Sequence, residues 1–186
     1  MTLPRPRQIA LLGAAALIGF ALAAGPVLAD MEPTPPPPPT SGDKKKDDKK
    51  STAPKPGEEK KEKKSERQFL DGYKVAYDLI KAEKYQAGIA AMLALGENDH
   101  PDVATSVGFA WRKLGDYDKA KLWYDKALTA DPVHVVTLSY YGMWHAEQGN
   151  VLKARDFLQK IALLCGNTTC EPYKNLDGVI DGKFTY

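Results

Sequence analysis

The chain has 186 residues and a formal net charge of +2, from 26 Lys and Arg against 24 Asp and Glu. Removing a predicted N-terminal signal that contains Arg5 and Arg7 leaves 24 basic residues against 24 acidic ones, so the remaining chain is neutral. This balance argues against a nucleic-acid-binding protein, which needs an excess of basic charge on one folded face.

Residues 1–29 have the layout of a secretory signal peptide. Arg5 and Arg7 precede an apolar run over residues 9–24, and the small residue Ala29 ends the segment. The pattern predicts cleavage after Ala29 and export, with the periplasm as the expected compartment. The alternative is an uncleaved inner-membrane anchor, although the apolar run falls just short of the roughly 20 residues that span a bilayer.

Residues 30–67 form a polar segment with almost no apolar side chain. Such a composition cannot bury enough surface to offset the loss of chain entropy, so the segment is predicted to be a disordered linker. The five consecutive prolines at 35–39 favour a stiff, extended conformation, and the Lys-rich remainder interleaves basic and acidic residues. Two interpretations stay open: a solvated spacer, or a tether that touches anionic lipid or cell-wall polymer.

Residues 68–186 contain all the Trp, Tyr and Cys residues, so the hydrophobic core is expected here. Apolar residues recur with helical spacing, and the breaks between them fall at Gly, Asn and Pro. Overlaying the segment on itself at an offset of 34 residues aligns like residues: Gly108 with Gly142, Gly115 with Gly149, and Ala120 with Ala154. Matches that recur at one offset indicate an internal repeat.

This spacing resembles the tetratricopeptide repeat, a helix-turn-helix unit of about 34 residues. Counting from Pro101, the small, aromatic and proline positions typical of that family are occupied by Gly108, Trp111, Ala120, Tyr124, Ala127 and Pro132. The sequence departs from the family at Ala104, where a Trp is common. The resemblance implies an all-α fold, a short right-handed solenoid of about three units and a capping helix.

The approximate repeats are residues 69–100, 101–134 and 135–168, with a C-terminal cap over 169–186. Within a repeat, Gly108 and Ala120 would let two antiparallel helices approach closely. Asp116 and Asn150 directly follow a turn glycine and are predicted to cap the next helix.

Cys165 and Cys170 are predicted to form a disulfide between the last repeat and the cap, since exported proteins favour this bond. Metal binding is the weaker alternative, because no second Cys pair or nearby His completes four ligands. The stretch is also similar to the end of exported proteobacterial repeat proteins, which implies the same fold and compartment. Solvated turn residues at His100 and His134 and a packed helical His145 are predicted in preference to a row of ligands.

The sequence contains no motif that would support catalysis. A nucleophile elbow, a zinc-protease motif and a Gly-rich phosphate loop do not occur, and acidic residues are spread singly over predicted helix surfaces. The chain is therefore predicted to be a non-enzyme without cofactor or metal.

In tetratricopeptide repeats the first helix of each unit lines a concave groove, so the resemblance implies a protein or peptide partner there. The implied groove residues are Tyr73, Tyr77, Thr105, Phe109, Arg112, Lys113, Tyr140, Met143 and Glu147. Aromatic and Met side chains flanked by cations suit an extended peptide or a helix with acidic groups. For Tyr77 and Met143 the alternative is packing between repeats. For the whole protein the alternative is a structural envelope tether acting through the Lys-rich linker.

Overall fold

A computed structural model describes residues 34–39 and 56–183 of the chain, and these residues form helices without any strand. The helices are α1 (Pro56–Lys81), α2 (Tyr85–Ala94), α3 (Pro101–Lys113), α4 (Tyr117–Ala130), α5 (Val135–Glu147), α6 (Val151–Cys165) and α7 (Glu171–Ile180). The all-α prediction is thereby confirmed. The predicted signal peptide at 1–29 and most of the predicted linker lie outside the described residues.

The helices pair into three hairpins, α1 with α2, α3 with α4, and α5 with α6, and α7 packs on α5 and α6. Two hairpins turn at Gly115 and Gly149, which have φ of 78° and 76°. The next residue caps the following helix: the Asp116 carboxylate accepts the Lys119 N–H, and the Asn150 side chain accepts the Lys153 N–H. Both predicted N-caps are confirmed.

The turn of the first hairpin has no glycine at the corresponding position. Glu83 takes the left-handed conformation, with φ of 59°, between α1 and α2. A side chain in this conformation costs roughly 1 kcal/mol relative to glycine. This explains why the first repeat is difficult to detect from its sequence.

Helix α1 begins at Pro56, inside the segment whose composition predicts disorder. The predicted boundary between linker and folded domain, after residue 67, therefore falls within a helix. Glu and Lys are good helix formers and Pro suits the first helical position, so the charged run can extend a helix that its apolar C-terminal half anchors. In the described part of the chain, no helix has the length and apolar character needed to cross a bilayer.

The helices of the described residues form two layers. Helices α1, α3, α5 and α7 each contact the next in that series, whereas α2, α4 and α6 do not contact one another. A stack of hairpins curves toward the layer whose members are closer together. The first group, here called the inner helices, therefore lines the concave side of the curve, and α2, α4 and α6 are the outer helices.

Gly108 lets α3 approach α4 closely, as the sequence predicts. A Cβ atom at Gly108 would lie 2.9 Å from the Tyr124 ring, which is completely buried. Gly142, its counterpart one repeat later, serves a different contact, since a Cβ there would lie 2.5 Å from a methyl group of Leu176 in α7. The capping helix thus occupies the space that the missing side chain leaves.

The predicted disulfide between Cys165 and Cys170 is confirmed. Cys165 is the last residue of α6 and Cys170 is the N-cap of α7, and Gly166 ends α6 in the left-handed conformation with φ of 68°. The bond therefore fixes the capping helix to the last hairpin.

Replacing Gly108 with Ala is expected to lower the free energy of unfolding by about 1–3 kcal/mol, because the buried Tyr124 ring cannot move away. An Ala in a helix normally stabilises relative to Gly, so a loss identifies the close contact. Urea unfolding followed by circular dichroism measures the effect. Gly72→Ala in α1 is the control, since its Cβ would meet only the flexible end of Leu95. Equal stability of the two variants would contradict the prediction.

Reducing the disulfide is expected to lower the free energy of unfolding by about 2 kcal/mol, the chain-entropy value for so short a loop. Urea unfolding with and without a reductant measures the change. A variant in which Ser replaces both Cys165 and Cys170 should be as unstable as the reduced protein and insensitive to the reductant. An unchanged urea midpoint for the reduced wild type would show that the bond does not stabilise the fold.

Candidate binding face of the inner helices

Buried side-chain hydroxyl groups connect the inner helices to one another. The Tyr73 hydroxyl lies 2.6 Å from the Ser106 hydroxyl, joining α1 to α3, and the Thr105 and Thr137 hydroxyls lie 2.6 Å apart between α3 and α5. The Ser139 hydroxyl donates to the carbonyl of Pro172 at 2.7 Å, which joins α5 to α7. These bonds hold the inner layer at close spacing.

Three of the predicted groove residues are used for this internal packing. Tyr73, Thr105 and Met143 are completely buried, and the hydroxyls of the first two are bonded to a neighbouring helix. Burial also raises the pKa of the Tyr73 hydroxyl, so it stays a neutral hydrogen-bonding group. These side chains therefore contact neighbouring helices. For Met143 this is the alternative that the sequence left open, whereas for Tyr73 and Thr105 repeat position alone did not distinguish an inter-helix side from an open side of a helix.

Arg112, another predicted groove residue, also lies between helices. Its Nε is 2.9 Å from Oε2 of Glu147, and its Nη1 donates to the Tyr140 carbonyl at 3.3 Å. Burial raises the pKa of Glu147, an effect opposed by the positive charges of Arg112 and Lys113. Burial likewise raises the pKa of Tyr124 to about 12, again opposed by Arg112. The guanidinium thus joins α3, α4 and α5, and Arg112 with Glu147 is a structural pair.

Three of the four remaining predicted groove residues, Phe109, Lys113 and Tyr140, form an aromatic and cationic cluster in which both rings are buried. The rings of Phe109 and Tyr140 meet edge to face with centroids 5.6 Å apart, and Nζ of Lys113 is 5.9 Å from the centre of the Phe109 ring. We call Phe109, Lys113 and Tyr140 the inner-face cluster. It spans α3 and α5, the two central inner helices.

Tyr77, the fourth of these residues, lies on α1. It is partly buried, and its pKa is raised by that burial and by the negative charges of Asp78 and Glu171. Glu171 is the first residue of α7, the last of the inner helices.

The residue before the proline run is hydrogen-bonded to Tyr140, a member of the inner-face cluster. The Tyr140 hydroxyl donates to the Thr34 carbonyl at 2.5 Å, and the next two residues, Pro35 and Pro36, are buried. Pro37 and Pro38 are exposed. Sequence reasoning treated this run as a spacer and did not place it on the domain, since no local pattern links residues 106 positions apart.

His100 and His134 cap α3 and α5 instead of being solvated turn residues. Both face the buried carboxylate of Asp102, with Nε2 of His134 3.3 Å and Nδ1 of His100 3.6 Å from its oxygens. Nδ1 of His134 accepts the Thr137 N–H, which leaves Nε2 to donate to Asp102. Across the described residues, no group of three His, Cys, Asp or Glu could hold a metal ion.

His145 is packed, as predicted. Its ring stacks on Tyr141 at 4.7 Å and on Phe157 at 5.5 Å, between α5 and α6. Burial, followed by the charges of Lys153 and Lys121, lowers the pKa of His145. A histidine held neutral in an aromatic stack belongs to the core and not to a site.

Stacked helical hairpins with an inner and an outer layer give an all-helical fold that is similar to tetratricopeptide-like helical repeats. No family model matches the chain. Solved structures of similar fold include the type III secretion translocator chaperone SycD of Yersinia enterocolitica, with a TM-score of 0.54 and 16% identity over 63% of this chain and 83% of that one. A structure of SycD with a peptide of the translocator YopD gives a TM-score of 0.52 at 16% identity, over 63% of this chain and 95% of that one.

Among curated proteins, the uncharacterized protein ycf37 of Guillardia theta is 34% identical over 56 residues, which are 30% of this chain. The match spans about a third of that relative, 32% of its length. The likeness to the solved structures shows the helical fold that the repeat predicts.

Replacing Arg112 with Met is expected to destabilise the fold by roughly 3 kcal/mol, because the Glu147 carboxylate loses its partner in a poorly solvated position. Changing Glu147 to Leu as well should recover most of that loss. Urea unfolding of the single and double variants measures both effects. Lys121→Met, which breaks the exposed pair with Asp125, should change stability by less than about 1 kcal/mol. A double variant no more stable than Arg112→Met would contradict the ion-pair explanation.

Proposed function

We propose that the chain is a protein-binding module that holds an extended segment of a partner protein on its concave side and catalyses no reaction. The observation that carries the proposal is the hydrogen bond from the Tyr140 hydroxyl to the Thr34 carbonyl. It shows the inner-face cluster engaging an irregular backbone, which is the interaction that peptide recognition requires.

The fold comparison supports the same activity. SycD, whose fold is similar, has been crystallised with a peptide of the translocator YopD. A concave layer of helices suits this task because it offers one continuous surface built from several repeats.

The proposal includes export to the periplasm. Its support is the signal-like layout of residues 1–29, together with the Cys165–Cys170 bond, since disulfides persist mainly in oxidising compartments.

Site-specific photo-crosslinking of the full chain in its own envelope tests the proposal. A photoreactive residue at Tyr77 or Lys113 is expected to form an adduct with one discrete protein, because these positions border the concave side. Leu122 and Leu163, exposed on the outer helices α4 and α6, are the matched control positions and should give no such adduct.

Adducts from the outer positions alone would contradict the proposal. Adducts only from a photoreactive residue at Lys45, in the Lys-rich segment, would favour the envelope tether.

A further inference from the structure

We propose that the concave side recognises proline-rich segments specifically, and that in the free protein its occupant is the chain's own Thr34–Pro39. The inference rests on the proposed function and specifies the chemistry of the partner: an extended proline-rich peptide that binds by displacing this segment.

The hydrogen bonding fits proline better than other residues. A proline has no backbone N–H, so a run of prolines offers only carbonyl acceptors. The inner-face cluster provides a side-chain donor, the Tyr140 hydroxyl, which binds the carbonyl of Thr34 directly before the run. An ordinary peptide would bring N–H groups that need acceptors, whereas a proline run brings none.

The apolar contacts fit as well. Aromatic rings that meet edge to face, as Phe109 and Tyr140 do, present the kind of surface on which proline-rich ligands dock. Pro35 and Pro36 directly follow the carbonyl that Tyr140 binds, and both are buried.

The exposure pattern defines the bound unit. A proline run repeats about every three residues, so two successive residues can face a surface while the third points to solvent. Pro35 and Pro36 are buried, whereas Pro37 and Pro38 are both exposed. The three-residue period is therefore not continued beyond Pro37, and the close contact covers a single turn that begins at the bonded Thr34 carbonyl.

Covalent connection makes this segment a strong competitor for its own site. A ligand joined to its receptor acts at an effective concentration on the order of millimolar. A partner therefore meets a concave side that is mostly occupied, and its apparent affinity is reduced in proportion to that occupancy. A proline-rich partner therefore displaces the segment only if it binds more tightly than the segment or is present at a higher concentration.

Fluorescence anisotropy with a labelled peptide of residues 32–40 tests the inference on the full chain. Replacing Pro35 and Pro36 with Ser should free the site and tighten probe binding at least tenfold relative to wild type. Replacing Pro37 and Pro38 with Ser is the matched control and should leave binding within about twofold, since these rings are exposed.

Adding Tyr140→Phe to the Pro35 and Pro36 variant should weaken probe binding about three- to tenfold, the effect of losing one neutral hydrogen bond. Circular dichroism of each variant checks that the helices are intact. Persistent tight binding after Tyr140→Phe would overturn the assignment of this hydroxyl as the donor.

The inference is overturned if the Pro35 and Pro36 variant binds the probe no better than wild type. If the probe binds no variant while crosslinks from Tyr77 or Lys113 persist, the proline preference fails and the proposed function stands. If the probe binds but those crosslinks are absent, the proline preference of the site stands and the proposed function fails.

A dimer of the wild type that disappears in the Pro35 and Pro36 variant would show that the segment binds the concave side of a second copy. That result would overturn the inference that the segment occupies the concave side of its own chain.

Discussion

The spacing of the inner helices, set by buried pairs of hydroxyl groups, is the constraint on which the rest of this structure depends. Tyr73 with Ser106 and Thr105 with Thr137 hold α1, α3 and α5 together, while the outer helices stay apart. Because a hydroxyl must find a partner once it is buried, each pair also fixes the register of its two helices. Curvature, and with it a concave side, follows from this difference between the layers.

The same closeness determines which side chains remain available to a ligand. Side chains that point along the stack pack between neighbouring helices and are not accessible to a ligand, as for Met143 and Arg112. Phe109 and Tyr140 are buried as well, with their rings in contact, but the Tyr140 hydroxyl reaches the Thr34 carbonyl outside the helical stack. The groups that can bind a ligand are those that the packing between the repeats does not use.

Sequence reasoning recovered the features that are local or periodic. The offset of 34 residues located the turns at Gly115 and Gly149 and their caps. The sequence has two cysteines, so within the chain each could pair only with the other. Sequence reasoning was less successful where the outcome depends on contacts between distant residues. Repeat position could not separate Tyr73 from Tyr140, and composition could not show that α1 begins at Pro56 or that Thr34 reaches Tyr140.

The docked proline segment also bears on the order in which the chain folds. Helical hairpins form from contacts of short sequence separation, and these contacts are made quickly. The bond between Thr34 and Tyr140 joins residues 106 positions apart, and closing so large a loop is entropically costly until the helices have shortened it. The repeats therefore fold first and the segment docks afterwards, so each newly made molecule passes through a period in which its concave side is complete and unoccupied.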